Sequence, residues 1–282
     1  MDELERIKKI IAEKVTGRIE PAHDALGHHY RFTQTGTIVD SVTTQIIVEK
    51  PHLRRWAAKA AVEKFIEIMY ARGWDSYSTI DKDMIQSCVL AHEYQRDAAG
   101  ATGTKAHEVL EIWENEWIKT GAMPTEEDII RMVKTAYGED CDYRVIAAAR
   151  SGVALFEKYS YIPVAPELLV GWEPWGMAGT LDLLVVDEKS NIILLDHKTS
   201  NAIDDTYAMQ VASYKRMFEK MTGLKIKKCV IAKLDKFSNK FKIYNIPDSA
   251  KAFNAQQANN KVYKWLKNGK DKLVEDKKII TL

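Results

Sequence analysis

The chain of 282 residues lacks the marks of several large classes of protein. Its 14 glycines and 7 prolines are too few for a fibrous or disordered chain. No run of about 18 consecutive apolar residues occurs, so we expect no membrane-spanning segment and no membrane partner. Cysteine is rare, and Cys88, Cys141 and Cys229 form no CxxC pair. This spacing excludes a zinc or iron–sulfur framework of paired cysteines and favours a reducing compartment.

What is present is typical of a globular protein, with 46% hydrophobic and 29% charged residues. The net charge of +1 hides a strong asymmetry along the chain. Residues 1–198 hold 23 basic and 32 acidic side chains, a net charge of −9, whereas residues 199–282 hold 18 and 8, a net charge of +10. The basic part indicates either an anionic partner or a solvated lysine-rich surface.

Hydrophobic spacing predicts an α+β fold, in which a mixed β-sheet is flanked by helices and the N-terminal half is helical. We expect helices at 3–15, 51–70, 80–98, 105–119, from 125, 143–159, 204–222 and 248–267. We expect a short hairpin within 28–48 and strands at 161–172, 178–187, 191–198, 226–234 and 240–246. The small-residue run at 98–103 is expected to separate two helices.

The predicted elements suggest two regions. Residues 1–142 form a helical region that contains the short hairpin and His107 and packs on the core. Residues 143–282 form that core and end in a basic helix. Because no low-complexity linker separates these regions, we expect one compact domain overall.

Two carboxylates meet on the hairpin of the strands at 178–187 and 191–198. With a three-residue loop at 188–190, Asp182 lies opposite Asp196, with Cβ atoms ~4.5–5.5 Å apart. Their repulsion, about 1–4 kcal/mol at ~4 Å, requires a shared proton, a protein cation or a divalent metal ion. Lys198 shares a face with Asp196 and supplies one positive charge. The alternative is that this Asp-x-Lys sequence is a solvated strand end.

Four further side chains are candidates for the same site. Glu167 on the preceding strand is either a third oxygen ligand or an ordinary strand carboxylate. Gln210 and Tyr214 lie four residues apart on one face of the next helix, a spacing that core residues also show. His107 is either a metal ligand or a structural or exposed histidine.

Several motifs in order resemble the PD-(D/E)XK nuclease superfamily. They are Gly179-Thr180-Leu181-Asp182, Asp196-His197-Lys198 and Gln210-Val211-Ala212-Ser213-Tyr214. The segments GTKAHEVLE and PELLV, which contain His107 and Glu167, are similar to motifs of its RecB-like exonuclease branch. Residues 27–61 resemble the N-terminal region of phage exonucleases and of the mitochondrial genome maintenance exonuclease. The resemblance covers about residues 27–246.

The resemblance implies hydrolysis of DNA phosphodiester bonds on a PD-(D/E)XK nuclease core, with one or two Mg²⁺ or Mn²⁺ ions. The implied metal ligands are His107, Glu167, Asp182 and Asp196. Lys198 would orient the attacking water, and Gln210 and Tyr214 would hold the scissile nucleotide and support Lys198. His197 faces away from the catalytic pair and is expected in packing or at the surface.

Two properties of related enzymes are not expected here. Some members of the branch bind an iron–sulfur cluster through four cysteines, but this chain has three cysteines at unrelated places, so we predict no cluster. The chain also lacks the GxxxxGK[ST] motif, so we expect a nuclease without its own helicase motor.

The basic C-terminal part offers contacts for DNA phosphates. Candidates are Lys261, Lys264 and Lys267, with aromatic residues between them, and Arg54 and Arg55 on an earlier helix. Each of these side chains could instead belong to a solvated face. Phosphate contacts provide affinity without sequence information, which suits an exonuclease.

We therefore expect a cytoplasmic, metal-dependent DNA exonuclease of a bacterial or phage-infected cell, without a signal peptide. Its partner would be single-stranded DNA or DNA with a free end, in recombination, replication or repair. A single-strand annealing or binding protein is a second partner that the resemblance alone implies. The alternatives are a structure-selective or restriction-type endonuclease and a catalytically dead DNA-binding protein. The presence of Asp182, Asp196 and Lys198 disfavours the dead protein.

Overall fold

The computed structural model describes residues 2–24, 27–48, 50–73 and 81–268. Its helices are α1 (Glu3–Lys14), α2 (Pro51–Arg72), α3 (Lys82–Thr120), α4 (Glu126–Tyr137), α5 (Tyr143–Tyr159), α6 (Thr206–Thr222) and α7 (Ser249–Asn268). Its strands are β1 (Ile19–Asp24), β2 (Gly27–Phe32), β3 (Ile38–Ser41), β4 (Ile162–Trp172), β5 (Met177–Val186), β6 (Ile192–Lys198), β7 (Ile226–Leu234) and β8 (Phe241–Asn245). The expected α+β fold is confirmed, with a helical N-terminal half and a mixed sheet between helices.

Local sequence explains where several helices begin and end. Thr125 forms a capping box with Asp128 at the start of α4, so each side chain bonds the other residue's backbone N–H. Gly223 ends α6 in the left-handed conformation with φ 77°, which glycine adopts without a steric penalty. These signals are local in sequence, and the predicted positions of both helices agree with the structure.

The expected break at 98–103 is wrong, because α3 runs without interruption from Lys82 to Thr120. Thr102 Oγ1 donates to the carbonyl of Ala98, a bond made inside a continuous helix. A Cβ on Gly103 would lie 2.8 Å from Thr199 Oγ1, so the small residue lets α3 approach the end of β6. The small residues therefore allow close packing of one long helix.

The hairpin expected within 28–48 is present as β2 and β3, which pair antiparallel with Arg31 opposite Ile38. A third strand, β1, pairs with β2 and was not predicted. Its sequence, IEPAHD, contains Pro21 and lacks strict alternation. Proline is tolerated at a sheet edge, where an N–H is not needed for pairing, and β1 is the terminal strand.

The eight-stranded sheet opens along one edge of β5. Its order is β1-β2-β3-β5-β6-β7-β8, and β4 pairs along the other edge of β5. On the open edge, β3 pairs with β5 at residues 177–178, and β6 pairs with it at 183–186. Residues 179–182 of β5 lie between these two partners. The sequence Gly179-Thr180-Leu181-Asp182 therefore occupies the opening.

Apolar side chains cover both faces of the sheet. One core cluster joins α1 and α6 to one face through residues such as Ile7, Val211 and Phe218. A second cluster joins α3, α4 and α5 to the other face, with Trp113 and Phe156 fully buried. This two-sided burial fixes the positions of α3 and α6 relative to β5, and both helices contribute to the site described below.

The continuity of α3 can be tested with two glycine substitutions. Gly100 is inside the helix, and a methyl group added there would meet no other atom within 4 Å, so Gly100→Ala should stabilise the protein by about 1 kcal/mol. Gly121 ends the same helix with φ 73°, so Gly121→Ala should destabilise it by about 1 kcal/mol. Urea denaturation measures both changes. A neutral or destabilising Gly100→Ala substitution would contradict the continuous helix.

Candidate metal centre

The candidate centre lies at the middle of β5, between the opening on one edge of this strand and β4 on the other edge. The pairs Pro166–Leu183 and Leu168–Leu181 place Glu167 opposite Asp182 in the β4–β5 register. Glu167 has φ 43°, in the left-handed region that costs about 1–2 kcal/mol for a residue with a side chain. Such strain persists only where surrounding structure imposes it, and it is frequent at functional sites.

Three side chains from three elements converge at this point. His107 of α3, Glu167 of β4 and Asp182 of β5 each offer a ligand atom, and these atoms all lie within 4.8 Å of one another. His107 Nδ1 is 3.6 Å from Asp182 Oδ2. One imidazole and two carboxylates form a group that could hold a metal ion. Three of the four ligands implied by the sequence are therefore brought together.

Asp196, the fourth implied ligand, lies beside this group and pairs with Lys198. The β5–β6 register, with Leu183 opposite Leu195, continues to Asp182 opposite Asp196. The Asp196 carboxylate is fully buried, and its Oδ2 lies 2.6 Å from Lys198 Nζ. Lys198 Nζ also lies 3.9 Å from Asp182 Oδ2. One ammonium thus faces both carboxylates of the hairpin.

Burial and like charges oppose ionisation of the acidic groups. Burial, together with the charges of Asp182 and Glu111, raises the pKa of Glu167 to about 8. Burial also raises the pKa of Asp196, although the Lys198 ammonium opposes this. For Asp182 burial acts in the same direction, but nearby groups, with the Lys198 ammonium the largest of them, outweigh it and lower the pKa. The site therefore carries more acidic groups than its own cations balance, which fits a divalent ion.

The pKa values of the two basic groups of the site, His107 and Lys198, shift in opposite directions. Burial lowers the pKa of His107, which favours the neutral imidazole that binds metals. Burial also acts against the charge on Lys198, but the carboxylates of Asp196 and Asp182 outweigh it and raise the pKa above the ordinary lysine value. Lys198 is therefore an ammonium at neutral pH in the metal-free protein.

Of the two positions expected for His197, packing and the surface, the structure shows packing. His197 is 2% exposed, and its ring meets the ring of His107 edge-on, with centroids 6.1 Å apart. Its Nδ1 is 4.0 Å from Oε1 of the buried Glu114. Burial lowers the pKa of His197 to about 3 and raises the pKa of Glu114 well above its ordinary value, so burial favours the neutral form of each side chain.

The backbone of His197 also contributes to the site. Its N–H donates to Asp182 Oδ2 over 2.8 Å, beyond the last regular pair between β5 and β6. The carboxylate thus accepts a hydrogen bond from the neighbouring strand. This bond orients Asp182 and helps to keep it ionised.

Gln210 and Tyr214 contact each other on α6, where Gln210 Nε2 donates to the Tyr214 hydroxyl over 3.0 Å. The buried ring of Tyr214 packs directly against Gly179. A Cβ atom at residue 179 would lie only 2.5 Å from this ring. This close approach explains why glycine stands at 179. The aromatic ring over the Lys198 ammonium is Tyr207, with Nζ 5.2 Å from the ring centroid. The resemblance to the nuclease superfamily implies that Gln210 and Tyr214 support Lys198.

Sequence reasoning missed three residues around the site. They are Glu111 and Glu114, one and two turns after His107 on α3, and Tyr207 in the first turn of α6. Helical spacing from His107 was a usable signal for Glu111 and Glu114. Tyr207 had no such signal, because its position depends on how α6 returns across the sheet.

The residues expected to contact DNA lie outside this group. Arg54 and Arg55 are exposed near the start of α2, and the three lysines of α7 are also exposed. Two of those lysines have partners within the chain. Lys264 Nζ donates to the Trp175 carbonyl over 2.9 Å, and Lys267 forms an ion pair with Asp40 at 2.8 Å. A DNA phosphate would have to displace or share these contacts.

The comparisons with known proteins give little beyond the structure itself. No family model and no curated protein matches the chain. A solved structure of a candidate exonuclease from Eubacterium rectale aligns with 58% of this chain and 69% of its own, with 16% identity and a TM-score of 0.35. That similarity is too low to carry an argument about function. Among the described residues, no helix has the length and apolarity needed to span a membrane.

Metal binding can be tested by titrating Mn²⁺ into the protein in a calorimeter. Asp182→Asn and Glu167→Gln should each weaken binding by at least about tenfold, because each removes an anionic ligand. In Asp182→Asn the amide oxygen can still accept the hydrogen bond from the His197 N–H, so the variant removes the charge and keeps this contact. Between neutral pH and pH 8, the affinity for Mn²⁺ should increase by up to about tenfold for each unit that the pH is raised. The reason is that Glu167, with a pKa of about 8, must lose its proton before it can bind the ion.

The matched control is Glu188→Gln, which removes an exposed carboxylate in the β5–β6 turn and should leave binding unchanged. In Glu167→Gln the dependence on pH should be shallower than in the wild type. Equal Mn²⁺ affinity in wild type and Glu167→Gln would exclude Glu167 as a ligand.

Proposed function

We propose that the chain is a metal-dependent deoxyribonuclease of the PD-(D/E)XK type, in its RecB-like branch, that degrades DNA from its ends. The observation that carries this proposal is the convergence of His107, Glu167 and Asp182 beside the Asp196–Lys198 pair. Carboxylates around a cation site, with one ammonium at its edge, suit hydrolysis of a phosphodiester. A role in phage-type recombination, replication or repair belongs to the same proposal.

The residues present fit a bound divalent ion. His107, Glu167 and Asp182 would hold it, and Asp196, which shares the Lys198 ammonium with Asp182, would join them if a second ion binds. When bound, Mg²⁺ or Mn²⁺ supplies positive charge for the phosphate oxygens and lowers the pKa of a water.

Lys198 has the central role among the chain's own groups. Asp196 holds its ammonium 2.6 Å away, and Tyr207 covers one side of it. From this position Lys198 donates hydrogen bonds to the attacking water and to the phosphate oxygen on which negative charge develops. Because the carboxylates raise its pKa, Lys198 acts as a donor and a positive charge in this proposal, with a second group accepting the proton of the water.

Gln210 and Tyr214 lie on α6, the helix that also carries Tyr207. The Gln210 side chain keeps its carbonyl oxygen available, since its amide nitrogen donates to the Tyr214 hydroxyl. In the proposed reaction this pair holds the nucleotide next to the scissile bond. The packing of Tyr214 on Gly179 keeps the pair at the opening of the sheet.

The preference for ends rests on the N-terminal helices. α2 packs along α3, and α3 carries His107 into the site. A helical pair beside the metal group can restrict access to a strand end. This restriction is what separates an exonuclease from an endonuclease on the same core.

The proposal is tested with linear and circular single-stranded DNA in the presence of Mg²⁺ or Mn²⁺. Linear DNA should be degraded and circles should persist. Lys198→Ala should slow degradation by about 10²–10³-fold, because it removes a donor to the developing charge. Lys189→Ala, which removes an exposed lysine in the β5–β6 turn, should leave the rate unchanged.

Labels at either terminus of single- and double-stranded DNA determine polarity and strand preference in the same assay. Rapid cleavage of circles would favour the endonuclease alternative. If neither ion supports cleavage of any DNA, the catalytically dead DNA-binding protein becomes the better description.

A further inference from the structure

A cavity lies away from the metal centre, between the ends of four elements. It has a volume of about 570 Å³ and is bounded by the end of α1, the β2–β3 turn, the end of β4 and the end of α6. Its principal lining residues are Lys14, Arg18, Phe32, Trp172, Lys220 and Met221. Neither the motifs nor the proposed chemistry uses any of them.

Three cations and one carboxylate line this cavity, so its lining has an excess of positive charge. Within the described part of the chain, Lys14, Arg18 and Lys220 form no salt bridge, although Lys14 Nζ donates to the Thr222 carbonyl over 3.4 Å. The one acidic lining residue, Glu173, accepts hydrogen bonds from the hydroxyls of Thr35 at 3.1 Å and Thr37 at 2.6 Å. Its carboxylate is thus held by neutral donors. The excess positive charge favours an anionic ligand.

The remaining wall of the cavity is apolar and partly aromatic. Phe32, Trp172 and Met221 are partly exposed on it. Lys220 Nζ lies 5.9 Å from the Trp172 ring centroid, which joins the charged and aromatic sides. A ligand with a phosphate and a planar base matches this combination, because a base stacks on an aromatic ring while cations bind its phosphate.

The position of the cavity relates it to the metal centre through α6. Tyr207 in the first turn of this helix covers Lys198, and Lys220 lies 13 residues later in the last turn. At 1.5 Å per residue the two ends are about 20 Å apart. That distance corresponds to about six nucleotides of a strand whose bases stack at about 3.4 Å per step.

We propose that this cavity binds a nucleoside phosphate of the DNA, about six nucleotides from the reacting phosphodiester. Lys14, Arg18 and Lys220 bind the phosphate, and the base lies against Trp172 and Phe32. This inference rests on the proposed function for the identity of the strand. The binding itself depends only on the charges and rings of the cavity, so it can be measured without any hydrolysis.

The test measures binding of fluorescein-labelled single-stranded dT12 by anisotropy in EDTA, so that cleavage does not interfere. The double variant Arg18→Glu/Lys220→Glu should weaken binding at least about tenfold and lower the slope against log salt by about 1.4, since two phosphate contacts to a single strand are lost. Trp172→Ala should weaken binding with little change in the salt slope. The charge-matched control Lys189→Glu/Lys251→Glu changes two exposed lysines elsewhere and should bind as the wild type does.

A second arm distinguishes a strand from a free nucleotide. If dTMP displaces dT12 from the wild type but not from the double variant, the cavity binds free mononucleotides as well as strands. Loss of dT12 binding without dTMP competition would support a strand contact alone. If the double variant binds dT12 as tightly as its matched control, the cavity is not a nucleotide site and the proposal is overturned. Because no step requires hydrolysis, this result is independent of whether the protein cleaves DNA.

Discussion

The structure around the opening in the sheet depends on one electrostatic constraint, the crowding of one buried and two half-buried carboxylates around a single lysine. Glu167, Asp182 and Asp196 lie on three adjacent strands, and Lys198 is the ammonium that faces two of them. Burial opposes the ionisation of all three acids, and together with the nearby negative charges it raises the pKa of Glu167 to about 8. A divalent cation relieves this repulsion and allows the carboxylates to remain charged. The arrangement therefore makes chemical sense as a metal centre.

The fold produces this crowding by leaving one edge of β5 without a partner at residues 179–182. A continuous sheet would pair this backbone and point the side chains into packed layers. At the opening, Asp182 instead accepts the N–H of His197, and Gly179 admits the ring of Tyr214. The long helix α3 places His107 beside Asp182 at this opening. The strained backbone of Glu167 is consistent with a local geometry set by the site.

Much of this was predictable from the sequence, because hairpin register and helical spacing are local properties. The opposition of Asp182 and Asp196 follows from a three-residue loop, and most helix and strand positions follow from hydrophobic period. The break predicted at 98–103 failed because tertiary packing against Thr199 favours small residues in a continuous helix. The strand β1, the ring of Tyr207 over Lys198 and the separate cationic cavity depend on contacts between distant segments, which local patterns do not encode.

The most direct test of the metal centre is a crystal structure with Mn²⁺ and anomalous data at the manganese edge. The account predicts a peak about 2.0–2.3 Å from a nitrogen of His107 and from oxygens of Glu167 and Asp182, with the Lys198 ammonium beside it. A structure at neutral pH in which manganese is absent from these three side chains, or binds elsewhere while they point apart, would contradict it.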